Sequence, residues 1–146
     1  MTVDRVDLVI KVGGSLLGRP THLDAVASAL ASLHDRYRLL VVPGGGPMAD
    51  TVRALDRRLA LSDDTSHWMA VLAMDQYAHL LAARIPGAVL VHDLAGIAGA
   101  HARGALPVLA PYRWLRDADP LPHSWAVTSD SIAAWIAKEL NARQLV

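Results

Sequence analysis

Two kinds of apolar pattern alternate along the chain. Val6–Val12 and Arg38–Val42 are near-continuous apolar runs. They lack the in–out alternation of a half-exposed strand, which predicts strands covered on both faces, as in a parallel sheet. Longer stretches carry helical spacing instead. From Thr21 to about Arg36, Leu23, Val26, Ala27, Leu30 and Leu33 share one stripe, with Thr21 as the predicted N-cap. A second helix opens on Pro47 at its first position and runs to about Leu61. A third spans about Asp64–Arg84 and stops at Pro86-Gly87. Ala88–Val91 predicts a short strand and Asp93 to about Ala100 a short helix. Ala105–Pro111 reads as a strand at a sheet edge, because Pro107 has no N–H to donate. Tyr112–Val127, with two prolines and two tryptophans, predicts a loop that packs Trp114 and Trp125 on the sheet edge. Thr128 or Ser129 then caps a helix to about Asn141, and Ala142–Val146 opens another strand.

Strands alternating with helices predict an α/β fold, a three-layer sandwich around a mostly parallel sheet. No repeat, linker or low-complexity tract divides residues 1–146, so a single domain is expected. The chain stops at Val146 inside what reads as a core strand. That predicts a domain incomplete at its C-terminus, a fragment or degenerate copy; a natural terminal strand is the alternative.

Composition narrows the classes. Of 146 residues, 53% are hydrophobic and 19% charged, the balance of a folded globular chain. Fourteen basic and fourteen acidic residues cancel, which argues against a nucleic-acid partner held by bulk charge. The chain has no cysteine, so it holds neither disulfides nor thiolate metal sites. No apolar run approaches the roughly 20 residues of a membrane helix. The first residues, "MTVDRVD", carry acids and lead directly into a strand, so no targeting signal and a cytoplasmic location are expected.

The chemistry concentrates in loops after strands. Ligands of parallel α/β sheets gather at the carboxyl ends of strands. Lys11 lies near such an end, and Gly13-Gly14-Ser15 follows it. Glycines let backbone N–H groups approach a phosphate closely, and the ammonium adds charge. The competing reading is a tight turn with a lysine that reaches out to solvent. A Walker A sequence is absent. Gly44-Gly45-Gly46 repeats the arrangement after the second strand, ahead of a helix N-terminus. Gly44, Gly46 and Ala49 also satisfy G-x-G-x-x-A, the dinucleotide fingerprint. That fingerprint belongs after the first strand, and here a second helix follows the first, so two phosphate-facing loops fit better. Asp130 falls in the first turn of the last helix, where it either serves the helix dipole or orients Lys11 or a metal-bound phosphate. His67, Asp75 and His79 share a helix face, as a solvated stripe or as a pair or metal site. His67, beside Trp68, is placed to reach a substrate, and His123-Ser124-Trp125 forms a second polar–aromatic cluster.

Four segments, "VIKVGGSLL", "VVPGGGPMAD", "HWMAVLAMDQYA" and "VTSDSIAAWIAKELNARQLV", resemble in order and spacing the amino acid kinase superfamily. Its members include acetylglutamate, aspartate, uridylate and isopentenyl phosphate kinases. "HWMAVLAMDQYA" with "LPHSWAVTSDSIAAW" is most similar to the archaeal and methylotroph branch that includes the aminomethylfuran phosphate kinase of methanofuran synthesis. The resemblance implies ATP-dependent transfer of a phosphoryl group, with magnesium, to a small phosphate or carboxylate acceptor. It implies that Lys11 bridges the transferred group and that Gly13, Gly14 and Ser15 hold the ATP phosphates. Gly44, Gly45, Gly46, His67 and Thr128 would face the acceptor, and Asp130 would organise the lysine and the magnesium surroundings. A homo-oligomer is the usual family state. Two departures qualify this. Ala126 stands where an Asp or Asn is expected, and the family's adenine- and ribose-binding segments would follow Val146. The alternative function is a non-catalytic nucleotide- or anion-binding or assembly subunit of the same fold.

Overall fold

The computed structural model describes residues 5–146, so part of the N-terminal stretch read for a targeting signal lies outside the described residues. Five strands form one sheet: β1 (Leu8–Val12), β2 (Leu39–Pro43), β3 (Ala88–Val91), β4 (Leu106–Leu109) and β5 (Gln144–Leu145). Their order is β3-β4-β2-β1-β5, and every pairing is parallel. The helices are α1 (Pro20–His34), α2 (Gly46–Leu59), α3 (Asp63–Arg84), α4 (Leu94–Ala102), α5 (Tyr112–Ala118) and α6 (Ser129–Glu139). A 3₁₀ turn covers Gly14–Gly18. The expected α/β sandwich is therefore the fold that forms.

The unbroken apolar strands have a direct cause. All five residues of β2 are buried, Leu40 and Val42 in one apolar cluster and Leu39 and Val41 in the other. Each cluster fills one face of the sheet, so no position of β2 faces water and none needs to be polar. Leu23, Ala27 and Leu30 of α1 seal one face, and Ile132, Ala133 and Ile136 of α6 the other. Helix α3 serves both clusters: Val71 and Met74 enter the α6 side, Tyr77, Ala78 and Leu81 the α1 side. Side chains alternate along a strand. Lys11 is two residues from Val9, which packs on the α6 side, so the strand's own geometry points the lysine toward α6.

Several expectations need correction. Helix α1 starts on Pro20 after Arg19, so Thr21 is inside the helix and not its cap. Proline sets the helical φ and lacks an amide that would otherwise go unpaired. In α2, Gly46 precedes Pro47, which is thus the second helical residue. Helix α3 starts one residue before the expected Asp64, where Ser62 Oγ accepts the Thr65 N–H at 3.2 Å.

Strand β4 is interior, between β3 and β2, although it holds Pro107. The amides of Leu106 and Ala110 donate to Gly87 and Val91 on the β3 side. By alternation the position of Pro107 faces β2, where Val41 and Val108 are the paired residues. The missing N–H therefore falls on the thin β2–β4 ladder rather than on a free edge.

Tyr112–Val127 is not all loop, because its first seven residues form α5. That helix has no side-chain cap of its own. Its first amide donates to Asp75 Oδ1 on α3 at 3.0 Å, while Leu115 is buried and Trp114 meets Trp135 of α6 at 5.1 Å between ring centroids. The two prolines come only after the helix has ended. Trp125 packs on α2 rather than on the sheet edge. Finally, β5 pairs with β1 at the edge of the sheet these residues form, where Leu145 is 41% exposed and Val146 63%.

Candidate functional site at the carboxyl edge of the sheet

A cavity of about 540 Å³ opens beyond the carboxyl ends of β1 and β2. Gly14 and Ser15 line it from the first turn, Gly44, Gly45 and Gly46 from the second, His67 from α3, and Thr128 and Ser129 from the start of α6. The expected loops thus meet at one place, at the partially positive starts of α2 and α6.

The two turns touch through their backbones. The Gly44 N–H donates to Val12 O at 2.8 Å. A Cβ on Gly14 would fall 2.1 Å from Gly46 Cα, closer than any non-bonded carbon approach. Gly46 has φ +60°, the left-handed region that glycine adopts without penalty. Tyr77 rises from α3 beneath the first turn, and its hydroxyl donates to Gly13 O at 3.0 Å. Burial raises the Tyr77 pKa, so the phenol keeps its proton and remains a donor. Gly13 is held from below in this way and does not line the cavity.

Lys11 and Asp130 lie to one side. Lys11 Nζ donates to Asp130 Oδ1 at 2.6 Å, with the lysine side chain 21% exposed and the aspartate 76%. The pair lines a second cavity of about 410 Å³ with Ala133, Leu145 and Val146, next to the exposed edge strand. The lysine is therefore neither loose in solvent nor inside the main cavity. The chain step from Ser129 to Asp130 links the two chambers, since Ser129 lines the first and Asp130 the second.

The far wall of the main cavity is apolar and aromatic, with Val71, Met74, Ile132 and Trp125. Trp125 is fixed from outside. Its Nε1–H donates to Asp56 Oδ2 at 2.6 Å, and the Arg53 guanidinium sits 4.8 Å above the ring. Asp50 and Arg53 add one charge of each sign to the lining. Sequence spacing gave no sign of the Asp56–Trp125 bond, whose partners are 69 residues apart.

His67 turns away from Asp75 and His79 despite sharing a helix with them, while His79 stays near enough to Asp75 to favour its charged form. Asp75 turns inward to α5, and burial raises its pKa against the lowering effect of the Tyr112 N–H. His79 is exposed. His67 packs instead against Trp68 and His123, and burial, followed by His123, lowers its pKa. Ala126 is exposed, and its N–H donates to Ser124 Oγ at 3.0 Å. Among the described residues no helix is long and apolar enough to cross a membrane.

The fold and this edge define an α/β protein of parallel-sheet type with a cavity at its strand ends. The chain belongs to the amino acid kinase family, whose sequence model matches residues 8–146. It is 30% identical over 139 residues to a (5-(aminomethyl)furan-3-yl)methyl phosphate kinase of Methanocaldococcus jannaschii. That alignment covers 94% of this chain and 63% of the relative's length. Two solved structures share the fold. A uridylate kinase from Archaeoglobus fulgidus superposes with a TM-score of 0.69 at 22% identity, over 95% of this chain and 61% of the other. A UMP kinase from Ureaplasma parvum superposes with a TM-score of 0.73 at 15% identity, over 97% and 68%.

Proposed function

We propose that the chain carries the acceptor side and phosphate turns of an ATP-dependent kinase for a small phosphorylated or carboxylated molecule. The phosphomonoester acid named for the Methanocaldococcus jannaschii relative is the leading acceptor class. The observation that carries this reading is the backbone contact between the two glycine turns at the mouth of one cavity, with the Lys11–Asp130 pair beside it.

In this reading the turn of Gly13, Gly14 and Ser15 holds the ATP phosphates, with Gly14 and Ser15 facing the cavity and Gly13 held beneath them by Tyr77. Gly44, Gly45, Gly46, His67 and Thr128 hold the acceptor, and its apolar body lies against Val71, Met74 and Trp125. Lys11 stabilises the charge that develops on the transferred group, and Asp130 keeps the ammonium in place. Phosphoryl transfer needs alignment and charge stabilisation rather than covalent help from the protein. An acceptor phosphate or carboxylate is already ionised near neutral pH, so no general base is required. ATP phosphates fit the cavity that Gly14, Ser15 and Gly44–Gly46 line beside the helix start at Gly46, where glycines leave the backbone open to a close ligand. Magnesium fits an exposed carboxylate such as Asp130, because the ion usually takes one or two protein carboxylates and completes its shell with phosphate oxygens and water. When bound it neutralises phosphate charge.

The test is to incubate the chain with magnesium, ATP and a panel of phosphomonoesters and amino acids, and to follow ADP. Acceptor-dependent ADP release supports the reading. No release from any acceptor, with no detectable nucleotide binding by calorimetry, overturns it.

A further inference from the structure

His123 joins three segments beside the main cavity. Its Nδ1–H donates to Asp64 Oδ1 at 2.6 Å, and its Nε2–H to Asp119 Oδ1 at 2.8 Å. Both partners are carboxylates, which only accept, so both ring nitrogens carry protons and the ring is an imidazolium. Asp64 belongs to the first turn of α3, Asp119 follows α5, and His123 stands in the segment leading to α6. The face of this ring lies on His67, with centroids 4.1 Å apart and planes within 13°. Trp68 meets both rings edge-on, at 4.6 Å and 5.2 Å, and Arg116 caps Trp68 at 4.7 Å.

A metal ion is the first occupant such a group suggests, since His67, Asp119 and His123 offer ligand atoms within 4.8 Å of one another. The rings argue against it. Imidazole lone pairs lie in the ring plane, and two nearly parallel rings aim them side by side instead of at one point. Both His123 nitrogens are also engaged already.

We propose that His123, clasped between Asp64 and Asp119, is a positioning residue that fixes the ring plane of His67 at the cavity. The proposal rests on reading that cavity as the acceptor site. His67 lines the cavity and His123 does not, so His123 acts only through its neighbour. Burial lowers the His67 pKa most, and the adjoining imidazolium lowers it further, against the opposing pull of Asp119 and Asp64. The clasp itself raises the pKa of His123. Burial and the charged ring both favour the neutral form of His67. A ring held in one plane aims its in-plane nitrogens in a set direction, which suits an oriented hydrogen bond to an acceptor oxygen better than a freely rotating ring does.

Ring chemical shifts of the 146-residue chain, followed over pH, test this directly. In the wild-type protein His67 titrates below the ordinary histidine value, and its ring signals carry the fixed ring-current shift of the edge-on Trp68. In His123→Asn the His67 pKa rises and that ring-current shift is lost as the ring plane relaxes. Asp64→Asn changes an exposed side chain and keeps the fold; there the His123 pKa falls and the His67 ring-current shift weakens. Identical His67 ring signals and titration in both variants overturn the proposal. Phenyl phosphate added to the wild-type protein separates the two readings. A His67 that responds to His123→Asn but ignores the ester retires the acceptor reading and keeps the clasp. A His67 that shifts with the ester but ignores both variants does the reverse.

Discussion

The two chambers at the carboxyl edge are built by different means. The strand-end side of the main cavity is walled by backbone: two glycine turns in contact, a tyrosine bracing one of them from below, and two helix starts. The side chamber is walled by one ion pair and the end of an exposed strand. That backbone side cannot change shape without moving the ends of β1 and β2, so it is pre-organised. The ion pair is held by two flexible side chains, one of them largely exposed, where screening by water leaves little stabilising energy. Lys11 and Asp130 therefore contribute little to the fold, and in the proposed reading they exchange partners when a phosphate binds. The same edge thus joins a rigid receptacle to an adjustable charge.

This contrast can be broken in three places. The largest effect is expected from Lys11→Ala. If the ammonium stabilises the transferred group, its loss lowers phosphoryl transfer, read as ADP release, at least a hundredfold. That is the range of about 2.7–4 kcal/mol typical of losing one such donor. The circular dichroism spectrum stays unchanged, because the pair does not support the fold. A rate within a few-fold of wild type removes Lys11 from the chemistry.

Gly14→Ala comes next and acts on the other chamber. The added methyl meets Gly46 backbone, which must move. The expected loss is about 1–3 kcal/mol of unfolding free energy by urea denaturation, the usual cost of overpacking. An unchanged midpoint would mean that the two turns separate easily and that the main cavity is no more rigid than its neighbour.

The smallest effect is expected from Tyr77→Phe. It removes the brace under Gly13 and leaves the buried aromatic packing in place. The cost is about 1 kcal/mol, that of one hydrogen bond. Faster amide exchange confined to Gly13–Ser15 would accompany it. A global rather than local change in exchange would show that Tyr77 supports the core and not the turn.

How much of this was legible beforehand differs by element. The apolar runs declared β1 and β2, and the glycines after them declared where a ligand edge would lie, because burial on both faces and a tight strand-to-helix turn each leave a local mark. Helix α5 left no such mark: its first amide is satisfied by Asp75 from another helix. The interior placement of β4 was equally hidden, since Pro107 reads as an edge signal unless one knows which neighbour its missing amide faces. His67 stood out as a residue near a substrate, but its stack on a charged His123 depends on two carboxylates 59 residues before and four residues before that ring.

The sequence alone settled the α/β class, the parallel strands and the pair of glycine turns, because these follow from periodicity and from the conformations only glycine allows. Tertiary structure alone decided that the turns touch, that Lys11 meets Asp130 across 119 residues, and that the lysine lines a chamber next to the glycine cavity instead of the cavity itself. Strand order and helix packing set those distances, and neither is written in the spacing of any one segment.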